Sequence, residues 1–188
     1  MVNEIFKKAS SRLKFLHRKK SFLALHTMKL LVSCLIQCHL DYACCFWFHS
    51  ISKKFKDRLQ ILQNKCIRFL LSLESRSHLD VSHFKRLHWL PVQKRVDFIT
   101  FNYVFKVKNK KAPEYLYEHF TPADSVHTYK TRFSNNGCYT ILKVKEFAMK
   151  TFAYNGCKLW NSLPPYVKDQ NNLMKFKHAV KELMYTYV

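Results

Sequence analysis

Residues 53–73 read KKFKDRLQILQNKCIRFLLSL, and in them Phe55, Leu59, Leu62, Cys66 and Phe69 follow at steps of four, three, four and three. That spacing lines side chains along one side of an α-helix. At about 100° per residue, Lys54, Arg58, Lys65 and Arg68 fall within a stripe roughly 80° wide beside the apolar seam, interrupted by Ile61. One side is made to pack, and its neighbour is positive. Such a stripe is either a solvated helix face or a ridge that follows phosphates, and the helix by itself leaves both open.

The segments on either side extend the helical pattern. Val2, Ile5, Phe6, Ala9, Leu13 and Leu16 keep the i, i+3, i+4 spacing of an amphipathic helix, with Lys7, Lys8, Arg12 and Lys14 on other faces and the polar cluster HRKKS after it. Phe22 to Gln37 is apolar nearly all round, so a mostly buried second helix is expected, bending or ending in HLDYACCFWF. Its apolar core, Leu30 to Phe48, carries Gln37, His39 and Asp41, each costly in hydrocarbon, so no membrane span is expected.

C-terminal to residue 73, HLDVSHFKRLHWLPV predicts a short helix capped near Asp80 or Ser82, ended before Pro91, with Trp89 and Leu90 packed inward. A long helix starts at Val92, with Val96, Ile99, Tyr103, Phe105 and Val107 on its apolar side, and ends in KVKNKK and Pro113. Glu114 to Phe120 suits one or two further turns. Thr121 to Gly137, rich in Ser, Thr, Asn and Pro, reads as a connection. CYTILKVKEF alternates as a short strand or hairpin would near 139–145. A helix ending before the Pro164–Pro165 pair and a last one over Asn172 to Tyr185, with Asn171 or Asn172 as N-cap, complete the chain. The expected fold is mainly α: a helical bundle over 1–120, a connection at 121–137 and a smaller helical region at 138–188.

Composition narrows the chemistry. The chain has 188 residues, 33 Lys+Arg against 12 Asp+Glu, a formal charge of +21 and 48% hydrophobic residues. It is apolar enough to bury a core and too apolar for a disordered chain. Its two glycines, Gly137 and Gly156, stand too far apart for a phosphate loop, a dinucleotide fingerprint or a nucleophile elbow. The positive charge favours a polyanion, because each cation that neutralises a phosphate releases a counterion. Seven cysteines and no secretory-type apolar leader suggest free thiols and an intracellular location, nuclear or cytoplasmic.

No catalytic or metal centre emerges from spacing. The acids are dispersed, Glu114 and Glu118 being the closest, so a two-metal site has no sequence support. Cys34, Cys38, His39, Cys44 and Cys45 fit no finger spacing, and the cysteines read as small core residues, while His78, His83 and His88 each turn about 140° from the last on a helix. No cofactor and no metal site are expected. Phe46, Trp47, Phe48, Trp89, Tyr103, Phe105, Tyr154 and Trp160 read as core in preference to base-stacking platforms.

Taken in order, HLDYACCFWF, DRLQILQNKCIRFLL, HWLPVQKRVDFITFNYVFKVKNKKAPEYLYEHF and YNGCKLWNSLPPYVKDQNNLMKFKHAVKEL resemble the region after the catalytic palm in reverse transcriptases of non-LTR retrotransposons, the jockey and chicken-repeat type of LINE element. The resemblance spans nearly the whole chain and rests on the succession of motifs as a set. It implies a helical thumb and C-terminal region of an RNA-directed DNA polymerase, without the palm aspartates or the endonuclease, and therefore not an enzyme as an isolated chain. It further implies a fragment left by a transposable element truncated at its 5′ end. The implied partners are RNA or an RNA/DNA template-primer, gripped by its backbone, and the missing palm, with self-association of the surface the palm would cover. Candidate phosphate contacts are Lys7, Lys8, Arg12, Lys14, Arg18, Lys19 and Lys20 at the thumb-like end, and Lys54, Arg58, Lys65 and Arg68 on the third helix. The alternatives are a basic interaction module or domesticated remnant that meets acidic protein or lipid, and a small hydrolase or nuclease.

Overall fold

In the N-terminal part of the chain, α1 (Val2–Arg18) forms on the stripe just described, with Ala9, Leu13 and Leu16 buried and Glu4 in its first turn, where the helix dipole favours an anion. The computed structural model describes residues 2–126, 136–141 and 143–186, and is 73% helix with no strand among the described residues. A 3₁₀ turn, Lys20–Phe22, leads into α2 (Leu25–Val32), which runs through a π-turn at Ser33–Gln37 into α3 (Cys38–Asp41). Ala43 then takes a left-handed conformation, φ 48°, which ends the helix before α4 (Cys44–Trp47). Next come α5 (Lys53–Leu71), α6 (Val81–Leu87) and α7 (Val92–Lys108). Two compact units, residues 1–95 and 96–188, divide within α7.

The first unit is organised by the seam of α5. Leu62, Cys66, Ile67, Phe69 and Leu70 pack with Leu13 and Leu16 of α1, Met28, Val32 and Ile36 of the 25–41 segment, and Phe84, Leu87 and Trp89. Asn3 and Phe6 lie at Arg58, while His17 lies at Phe69, so α1 and α5 run parallel. The paired glutamines of α5 have a structural task. Gln60 Oε1 accepts the Val92 N–H at 2.8 Å and Gln63 donates to the Leu90 carbonyl at 2.9 Å, fixing the Trp89-Leu90-Pro91 turn on α5. Asp80 caps α6 by accepting the N–H groups of Ser82 and His83. Asp41, at the end of α3, takes a two-pronged ion pair from Arg95, both N···O distances being 2.5 Å.

The 22–48 segment is less buried than its apolarity suggests. Met28, Val32 and Ile36 enter the core, but Phe22, Leu25, Leu30, Tyr42 and Phe46 are exposed, as are Cys34 and Cys38, which were expected inside. Apolarity all round a helix does not say how many sides find a partner within one unit. By length and composition Leu25–Ser50 would also be long and apolar enough to cross a membrane.

In the second unit a 3₁₀ segment, Glu114–His119, precedes α8 (Phe152–Ser162), α9 (Pro165–Lys168) and α10 (Leu173–Thr186). Phe105 stacks on Phe176 at 4.3 Å between centroids, and Trp160, Tyr139, Phe120 and Phe152 continue the aromatic chain. Gly156 lies where a Cβ would come within 3.1 Å of both the Phe120 ring and Val104, so any side chain there would push these two aside by a few tenths of an ångström. Asn172 caps α10 through the Met174 N–H. Lys168 is buried at 2% exposure, donating to the Cys138 thiol and the Asn161 carbonyl.

The strand expected near 139–145 is not formed among the described residues. Tyr139 makes one isolated antiparallel bridge, to Pro122. Its own N–H and carbonyl are taken by the Asn161 side chain, at 2.8 and 2.7 Å, so a side chain from α8 stands where a neighbouring strand would be. Of the connection expected at 121–137, residues 127–135 lie outside the described residues. Tyr103, placed on the apolar side of α7, is 40% exposed, and Phe101 and Val104 are buried in its stead.

Candidate nucleic-acid interface

Between α1 and α5 lies a cleft of about 360 Å³ whose walls carry Lys14, His17 and Lys20 on one side and Lys65 and Arg68 on the other. Leu13, Leu62, Phe69 and Leu73 line its apolar part, and Ser10 and Ser75 complete the lining, which contains no acidic residue. The geometry follows from two local choices. The seam of α5 buries Leu62 and Phe69 against α1, which leaves Lys65 exposed beside them. The turn after Arg18 swings Lys20 back until its ammonium lies 5.6 Å from the Phe69 ring centre. A shallower depression next to the cleft shares Lys14 and His17 and adds Ser11 and Arg18.

The other cations named from sequence are placed elsewhere. Arg12 turns inward, donating to the Leu35 carbonyl at 2.8 Å and to the His39 ring. Arg58 lies over the Phe6 ring at 4.5 Å and donates to Asn3, clamping α5 to α1. Lys7 pairs with Glu4 across an exposed helix turn, an interaction worth little. Lys8, Lys19 and Lys54 are exposed and outside the cleft lining. Arg68 has two tasks, since it reaches the cleft and also donates twice to the Ser77 carbonyl, holding the loop after α5. Sequence reasoning missed His17, Ser10 and Ser75. For the first two a signal was available: Ser10, Lys14 and His17 stand at i, i+4 and i+7, one face of α1.

The chain matches no family model, no curated protein and no solved structure.

The thiols are free, and Cys44, Cys45, Cys66 and Cys157 are buried where a thiolate is disfavoured. Burial pushes Cys44 up to about 12, helped by the neighbouring Cys45. Burial alone does the same for Cys66, to about 12, and Cys157, to about 11, the opposite of an activated thiolate. Among the described residues no three His, Cys, Asp or Glu side chains gather as metal ligands.

Three histidines of the first unit share a direction. Burial lowers His17, His39 and His49 from the ordinary 6.5, with Lys20, Arg12 with Lys8, and Lys56 adding repulsion in turn. The acceptor role of the His39 ring toward Arg12 requires the same neutral form. A lowered histidine gives stability that is present above 6.5 and lost as pH falls, because the unfolded chain takes up the proton first. The urea midpoint of the first unit is therefore expected to fall from pH 7 to pH 5. His49→Gln should remove part of that fall; a midpoint flat over this range would refute it. Asp80, lowered to about 2 chiefly by the Ser82 hydroxyl, acts only further down, as pH drops below the ordinary carboxylate range.

Proposed function

We propose that this chain is a non-catalytic nucleic-acid-binding segment of a LINE-type RNA-directed DNA polymerase, holding RNA or a template-primer through its backbone. The observation that carries the reading is the convergence of Lys14 of α1, Lys20 of the turn after it, and Lys65 and Arg68 of α5 on one cleft with no acid in its lining. Four cations at one concave surface focus a field that a scattered basic surface would not. The exposed Phe22, Leu25, Leu30 and Tyr42 would suit a partner surface such as a polymerase palm, and this sequence holds no adjacent aspartate pair for polymerase chemistry of its own. The raised thiols of Cys44, Cys45, Cys66 and Cys157 weigh against those four as hydrolase nucleophiles.

The test is binding of duplex and single-stranded RNA by fluorescence anisotropy over a series of salt concentrations. The variant Lys14→Gln/Lys20→Gln/Lys65→Gln leaves Arg68 on Ser77 and should lower the slope of log K against log salt by ~0.9 for each duplex phosphate it no longer neutralises, or ~0.7 on a single strand. A control with the same charge change, Lys7→Gln/Lys8→Gln/Lys54→Gln, should move it less. Equal slopes for both variants would take the cleft out of the reading.

A further inference from the structure

We infer that the α1–α5 cleft receives one unpaired nucleotide of a single strand, its base against the apolar lining and its phosphates on the lysines. The inference rests on the nucleic-acid reading above and narrows it from a polyanion surface to a strand-specific site.

Three features of the cleft favour this occupant over a duplex. The first is shape and size. A volume of about 360 Å³ lies within the ~300–1,000 Å³ of small-ligand sites and is concave, whereas a duplex backbone needs only a ridge or a shallow track. The second is the division of chemistry. Lys14 and Lys65 are exposed, one on each wall, while between them the apolar surface is that of the half-buried Leu73, with only the small remaining faces of Leu13, Leu62 and Phe69 below it. A duplex offers the cleft phosphates alone, because its base faces are stacked, and the apolar lining would stay unused. An unpaired nucleotide offers both halves at once, a flat π-face and an anion.

The third feature is the ring at the wall. His17 packs on Phe69 at 4.6 Å between centroids and is itself exposed, leaving an aromatic surface at the cleft for a base. Partial burial of the ring, then the Lys20 ammonium, lower His17 from its ordinary value, which favours the neutral form. The adjoining depression, which shares Lys14 and His17 and adds Arg18 and Ser11, carries the path onward along α1 for the phosphate of the next nucleotide. Base contacts of this kind tolerate any base, so the site selects strandedness and not sequence.

The experiment compares 12-nucleotide RNA and DNA, each single-stranded and as its own duplex, by competition at one salt concentration, and follows a 2-aminopurine in the single strand by its fluorescence. The natural chain should prefer either single strand over the duplex by about tenfold, the lower part of the range for one stacked base. The probe's fluorescence should change on binding. Ser10→Phe fills the cleft from its wall and leaves every lysine in place; it should abolish the preference and the probe signal while the salt slope on duplex stays as before. A circular-dichroism melt within a few degrees of the natural chain verifies its fold, and Ser75→Phe from the other side gives the same test if it does not. Equal affinity for single strand and duplex, or equal losses on both with Ser10→Phe, would overturn the single-strand assignment while leaving the cleft reading intact. No binding to any of the four, or a slope indifferent to Lys14, Lys20 and Lys65, would overturn the broader reading.

Discussion

Trp160→Ala is expected to lower the melting midpoint of the second unit by at least ~12 °C. Trp160 is fully buried; its indole N–H donates to the Gly137 carbonyl at 2.9 Å, its ring lies 5.8 Å from Phe176 and 6.2 Å from Tyr139, and the Lys108 ammonium sits over it. Truncation removes a large apolar surface, leaves a cavity and orphans a carbonyl. Large aromatic truncations of this kind cost about 3–5 kcal/mol, against a total stability of ~5–15 kcal/mol for a domain. Each kcal/mol moves the midpoint of a unit this size by ~4–8 °C, so a fall of at least ~12 °C in near-ultraviolet circular dichroism is expected. A fall of under ~5 °C, little more than one kcal/mol, would mean that the aromatic chain is not what holds this unit. Trp160→Phe separates the two contributions, since it keeps most of the surface and loses the N–H.

Asp41→Ala should cost the first unit about 2 kcal/mol, because it strands the Arg95 guanidinium at a half-buried place where two oxygens had satisfied it. The value is set below that of a fully buried pair, since 28% and 29% of the two side chains remain in contact with solvent. The discriminating measurement is a double-mutant cycle in urea. Arg95→Met alone should also destabilise, but Asp41→Ala/Arg95→Met should be more stable than the sum of the single effects implies, because no charge is left alone. Strict additivity would mean that the pair is not coupled.

What could be read from the sequence follows the reach of the forces involved. The helix at Lys53–Leu71, its seam and the helix from Val92 depend on periodicity within one segment, and they stand where the spacing puts them. The cap at Asp80 and the inward Trp89 and Leu90 are equally local. The strand near 139–145 was not legible, since what competes for the Tyr139 backbone is Asn161, twenty-two residues away. The candidate site was half legible. Charge density marked α1 and α5, but which cations face the cleft depends on how the helices are turned toward one another. Arg12 and Arg58 have the same composition signal as Lys14 and Lys65, yet their partners, Leu35 and His39 for one, Phe6 and Asn3 for the other, are distant in sequence. Pattern alone had no way to separate a clamping arginine from a cation that faces the cleft.

The parallel pairing of α1 with α5 also bears on how the chain comes off the ribosome. Parallel neighbours cannot be joined by a tight turn, so the 25–50 segment must be made before the partner of α1 exists. At ~5–20 residues per second, α1 waits for seconds before α5 is made, with only the 25–41 segment at hand to cover part of its apolar stripe. Pairings of this sequence separation also slow folding, because loop closure precedes any gain from packing. The first unit should thus close only once α5 has been made, and a nascent chain halted before residue 53 would leave the α5-facing side of α1 open to chaperones and proteases.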